Sequence, residues 1–186
     1  MHGVIKGDTM PRIAPVEDEH ATPEQQANID AIVGRVTNMK RTLARSRVAL
    51  HALLEWYPLH DVVLPFLGER STSIFCHAIS TQSDCLICST YFRRELLESG
   101  ISPDDMVFSD KERVLVDFGR QIARDANGVE DELFERLRSF FSEDQIVDLT
   151  AFGALMIATN VFNDALRVDL DDELEPFRAA QTFAPV

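Results

Sequence analysis

The segment Ser83-Asp84-Cys85-Leu86-Ile87-Cys88-Ser89-Thr90-Tyr91-Phe92-Arg93-Arg94 decides how the rest of the chain is read. It sets two cysteines three residues apart at the head of a predicted helix. Ser83 or Asp84 is a suitable N-cap, because its side-chain oxygen can accept from backbone N–H groups that the first turn leaves free. From Cys85 to Leu97 there is no Gly or Pro, and apolar residues recur at helical spacing. Cys85 then falls at the first helical position and Cys88 one turn further in, so both sulfurs share a face. A helix N-terminus favours anions, and therefore thiolate over thiol. Such a pair admits three readings: a redox-active dithiol, half of a metal site, or two small buried residues. A zinc site would need Cys76 and His77 to complete it. Adjacent helical positions point in different directions, so zinc ranks below redox.

Working outward, Ser71–Ser80 reads as a helix and Thr81-Gln82-Ser83 as its polar connection to the cysteine helix. The two form a hairpin, with Ser73 and His77 on one arm and Cys85 and Cys88 on the other. Gly100 stops the cysteine helix as a left-handed C-terminal glycine. The capping box Ser109-Asp110-Lys111-Glu112 opens a helix to about Ala126, and Asp131–Phe141 is amphipathic. A further box, Ser142-Glu143-Asp144-Gln145, opens the most apolar segment, 146–168. Its length and all-round apolarity predict a homo-oligomeric contact. Asn160 and Asn163, late in that helix, either bond neighbouring helix ends or touch a substrate.

Towards the N-terminus, Thr22-Pro23-Glu24-Gln25 opens a helix with Ala27, Ile32, Val33 and Val36 facing inward. A second helical run is predicted from Lys40 to Trp56, with Leu43, Val48, Leu50, Leu53 and Leu54 inside. Tyr57-Pro58 should end it, and Pro65 should limit 59–67 to about two turns. Residues 1–20 and 169–186 read as tails around a helical domain at 21–168. The sequence carries no strand pattern, phosphate-binding loop or Ser/His/Asp constellation.

Phe75-Cys76-His77-Ala78-Ile79-Ser80, then Cys85-Leu86-Ile87-Cys88, then Leu96-Leu97-Glu98-Ser99-Gly100-Ile101, resembles the carboxymuconolactone decarboxylase superfamily. The branch it is most similar to is the alkylhydroperoxidase AhpD-like, peroxidase-related one. The likeness extends through 145–163. It implies an all-α, AhpD-like helical bundle with the CxxC at the N-terminus of a central helix, assembling as an oligomer. It implies that Cys88 attacks a hydroperoxide and that Cys85 resolves the product into a disulfide. The sequence departs from the pattern in its proton relay. The usual glutamate position is Ser73, the usual histidine position is Phe92, and the residue before the second cysteine is Ile87. His77, one turn after Ser73, is the replacement base to consider, since an imidazole exchanges protons near neutral pH. Tyr91 and Phe92 read as pocket lining over the thiols.

The chain has 186 residues and a net charge of −13, from 31 acidic and 18 basic residues. That balance argues against nucleic acid and anionic membrane as partners. No apolar run is expected to reach the roughly twenty residues of a membrane span, and residues 1–10 lack the apolar core of a signal peptide. With three cysteines, the default compartment is a reducing cytoplasm, where a CxxC is reversible. The expected partners are a hydroperoxide or disulfide substrate and an external dithiol electron donor, with no cofactor and no metal. The alternatives are a cofactor-independent decarboxylase or lyase of the same superfamily, and a non-catalytic oligomeric member.

Overall fold

A computed structural model describes residues 10–179. Expectations for residues 1–9 and 180–186 lie outside it. Among the described residues there are nine α-helices and no strand: α1 (Pro23–Asp30), α2 (Asn38–Leu43), α3 (Arg47–Leu54), α4 (Trp56–Leu67), α5 (Glu69–Gln82), α6 (Leu86–Glu98), α7 (Asp110–Asp125), α8 (Asp131–Arg138) and α9 (Glu143–Leu166). The capping boxes at Thr22, Ser109 and Ser142 all form, each with reciprocal side-chain and backbone bonds.

The N-terminal third departs from the sequence reading. α1 ends at Asp30, so Val33 lies in the following loop and is 90% exposed, not inside. The run expected over 40–56 is two helices. Ser46 takes an extended conformation and caps α3 by accepting from the Ala49 N–H, and Val48 is exposed. Pro58 does not end a helix. It falls at the third position of α4, in the first turn, where its missing N–H has no intrahelical acceptor. α4 also continues through Pro65 to Leu67.

α5 is the central element and packs on α6, α7, α9 and α4. Its Phe75 ring is fully buried between two glycines. A Cβ on Gly119 of α7 would lie 3.1 Å from that ring, and one on Gly153 of α9 would lie 3.0 Å from it and 2.8 Å from Ile122 Cδ1. The three helices approach closely because these two positions carry no side chain.

α9 is long and apolar enough, by length and composition alone, to cross a membrane. It is not buried all round, as its composition suggested. Leu149, Phe152 and Met156 face the core, while Val147 and Val161 are exposed. The first part of the expected C-terminal tail also packs down. A 3-10 turn at Asp172–Phe177 lies on α6 with Leu174 buried.

Candidate functional site

The hairpin expected between the two arms forms, but with different chemistry at the join. α5 closes with Ser83. Asp84 turns left-handed at φ +56°, donating its N–H to the Thr81 carbonyl (3.2 Å), while the Cys85 N–H reaches back to the Ser80 carbonyl (3.0 Å). This is the paired bond pattern that satisfies orphan carbonyls at a helix end. Cys85 is therefore the last residue of one cap and the N-cap of α6, extended at φ −83° and ψ 106°, with no side-chain capping bond. The N-cap position of α6 thus falls on Cys85, one or two residues later than the sequence placed it. Aspartate is among the few residues other than glycine that tolerate this conformation.

Cys85 is fully buried and Cys88 is 5% exposed; all three cysteines are free thiols. Cys88 alone of them lines a cavity of about 110 Å³. Trp56, Tyr57, Tyr91 and Phe92 wall it, and Asn163 sits beside the sulfur. The Asn163 Nδ2–H donates to Cys88 Sγ at 3.3 Å. Cys85, three residues before Cys88, does not line the cavity, and its thiol is the strongest influence on that of Cys88. Cys85, burial and the nearby Asp164 carboxylate raise the Cys88 thiol well above its usual range, and the bond from Asn163 opposes them. The Cys85 contact and burial both favour the neutral thiol, against the thiolate expected from the helix N-terminus.

Tyr91 and Phe92 stand where the sequence placed them, against the cavity. Their rings meet edge to face at 5.1 Å, and the Arg94 guanidinium lies 4.8 Å over Tyr91. Phe92 in turn stands 6.3 Å from Trp56. Ser73 and His77 are not in the cavity wall. Both sit on the half-exposed face of α5, while Thr72, Cys76 and Ser80 are buried on the other. His77 is held neutral, its pKa pushed down to about 4 by burial and by the charges of Arg93 and Arg120, with Asp104 opposing. Arg93 is five residues beyond Cys88 on α6, well round the helix from it. The structure does not bring His77 to Cys88. Cys76 is a fully buried core residue, and among the described residues no group of three or more His, Cys, Asp or Glu is placed to hold a metal.

Trp56 and the C-terminal turn are the parts of the site that sequence reasoning missed. Trp56 stacks on Phe152 at 4.9 Å, and its indole Nε1 is buried without a partner among the described residues. Asp171 and Leu174 close the cavity from the other side. They are pinned by a bond from the Asn38 N–H to Asp171 (2.8 Å) and by ion pairs of Glu173 with Arg94 (3.4 Å) and with Arg35. The one sequence signal for these residues was an aromatic beside a predicted helix break.

No protein-family model matches the chain, and a search of curated proteins finds no significant match. Solved structures do match. A peroxidase-related protein from Silicibacter sp. TM1040 superposes with a TM-score of 0.69 at 21% identity, over 90% of this chain and 97% of that one. An AhpD-core, peroxidase-related protein from Ralstonia eutropha JMP134 gives 0.68 at 19%, over 90% and 96%. The fold is AhpD-like. The debrominase Bmp8 shares this AhpD-like fold, with a TM-score of 0.68 at 14% identity over 89% of this chain and 95% of its own. A cysteine-to-alanine variant of that enzyme, in complex with 2,3,4-tribromopyrrole, superposes at 0.66. The all-α bundle with the cysteine pair at the head of an inner helix is thus as the resemblance implied.

Proposed function

We propose that the protein is a thiol-dependent oxidoreductase in which Cys88 attacks a substrate in the aromatic cavity and Cys85 completes the disulfide. The observation carrying this reading is the difference between the two cysteines at the head of α6: Cys88 lines the cavity, while Cys85, three residues before it and the strongest influence on its thiol, is fully buried. With a hydroperoxide, the Cys88 sulfur takes the terminal oxygen and the O–O bond breaks. The thiol proton leaves with the alcohol, and Cys88 becomes a sulfenic acid. Cys85 then displaces water from that sulfenic acid, forming the disulfide. An external dithiol returns two electrons and two protons. No cofactor enters, and a reducing cytoplasm suits the cycle.

The test is a count of thiols in the reduced protein before and after cumene hydroperoxide. Two of the three should vanish together and return with dithiothreitol. If all three survive, the reading is wrong.

A second reading is reductive dehalogenation. Four aromatic residues wall the cavity and neither Ser73 nor His77 reaches it, which suits a flat aromatic more than a relay-assisted peroxide. The balance is an aryl bromide plus two thiols giving the arene, bromide, a proton and the Cys85–Cys88 disulfide. Bromide release from a bromopyrrole in the presence of dithiothreitol, lost in Cys88→Ser, would select this reading.

For assembly, we assign the exposed α9 stripe of Val147, Ala151, Ala154 and Val161 to a second copy of the chain. Light scattering on the wild type and on Val161→Glu tests it: a larger particle that the variant splits supports the contact, and a monomeric wild type removes it.

A further inference from the structure

Two polar groups at the cavity have no partner among the described residues. One is the Trp56 indole Nε1–H, and the other is Asn163 Oδ1, on a side chain only 2% exposed. A buried amide oxygen left without a hydrogen bond costs about 1–3 kcal/mol, so native structures seldom leave one unless something else fills the place. The same Asn163 side chain has its Nδ2 committed to Cys88 Sγ. One amide therefore faces the reacting sulfur with its donor and keeps its acceptor free.

The cavity around these groups is aromatic and small, about 110 Å³, below the roughly 150 Å³ of an engineered site that holds benzene, so it takes no more than one ring. A hydroxyl or ring N–H would satisfy Asn163 Oδ1, and a hydroxyl could also accept from the indole of Trp56.

We infer that Asn163 is both a positioning residue for Cys88 and the residue that selects substrate, which is a single-ring aromatic carrying an O–H or N–H donor. The ring lies among Trp56, Tyr91 and Phe92, and its donor bonds Asn163 Oδ1. The Nδ2 of the same amide holds the Cys88 sulfur and stabilises it as it loses its proton. This deepens the oxidoreductase reading and rests on it for the role of Cys88. The binding half needs no thiol chemistry and can fail separately.

The experiment uses the full chain, reduced, with 4-bromophenol and its donor-free isostere 4-bromotoluene. Trp56 is the chain's single tryptophan, so its fluorescence reports occupancy. Wild type should bind the phenol roughly tenfold more tightly, the worth of one buried hydrogen bond. Equal binding, tighter binding of the toluene, or no response of Trp56 to either probe overturns the inference. In Asn163→Leu the preference should vanish, and alkylation of Cys88 by iodoacetamide should require a higher pH. An unmoved pH profile removes the positioning role. Should the variant not fold, the wild-type probe pair still decides substrate selection, and the iodoacetamide profile of wild type with and without saturating 4-bromophenol decides positioning. A profile unmoved by the bound phenol counts against it.

Discussion

The two halves of α9 make opposite interiors from one continuous helix. In the first half, Phe152 and Gly153 press against Phe75 so tightly that one added methyl on Gly153 would come within 2.8 Å of Ile122. In the second half, Thr159 and Asn163 line open space with Cys88, and polar atoms there lack partners among the described residues. Packing of the first kind fixes the fold and tolerates almost no change in volume. The second kind gives up packing and hydrogen bonds, which a stable core has no reason to do unless a ligand restores them.

The largest break in this contrast comes from the sulfurs. Cys88→Ser should lower thiol-dependent turnover by about a thousandfold or more, as removal of an attacking group does. Cys85→Ser should allow one oxidation at Cys88 and then stall without a disulfide. Steady-state rates and intact mass separate the two variants. A Cys88→Ser protein with undiminished turnover would move the chemistry elsewhere.

At the tight end, Gly153→Ala should destabilise by about 2 kcal/mol, because the methyl meets a ring and an isoleucine that are both packed in place. Thermal unfolding should fall by about 4–8 °C. An unchanged Tm would mean that Phe75 has room to move and that the two halves differ less than their geometry shows.

Much of this was legible in the sequence, and the limits have physical causes. The capping boxes at Thr22, Ser109 and Ser142 could be read because cap and partner lie within four residues. Gly100 could be read as a helix stop because its left-handed φ of +80° is a local requirement. Asp84 takes the same conformation at +56° without a glycine to announce it, so its segment read as a cap for the next helix. The cysteine pair, Tyr91 and Phe92 were visible because they sit within one short segment. Trp56, Asp171 and Leu174 come to the cavity from both ends of the chain, and nothing local in their neighbourhoods specifies that meeting. His77 was misplaced because spacing gives the face it shares with Ser73 but not which helix that face meets.

His77 offers a pH test of which side of α5 carries charge. Its pKa is pushed down to about 4 by burial and by Arg93 and Arg120, whereas in the unfolded chain it titrates near 6.5. Between those values the unfolded state binds the extra proton. Stability should therefore fall as pH drops from about 6.5 to about 4, and this contribution should level off below that. The effect should be about 1–2 kcal/mol, since the two guanidinium groups are partly screened by solvent. His77→Gln should flatten that part of the profile in urea titrations across the range. It should leave Cys88 alkylation unchanged, and a shifted alkylation profile would bring His77 back to the thiols.

The smallest effect is the sharpest version of the contrast. Leu54 lines the cavity and is half-buried. Leu54→Phe adds three carbons where space exists, so stability should stay within about 0.5 kcal/mol of wild type. The single carbon of Gly153→Ala should cost several times that. The same ring should occupy room that a substrate needs, weaken binding of 4-bromophenol as read by Trp56 fluorescence, and slow alkylation of Cys88. A Leu54→Phe protein destabilised as much as Gly153→Ala would show that the second half of α9 is packed as closely as the first. The cavity over Cys88 would then not be standing space for a ligand.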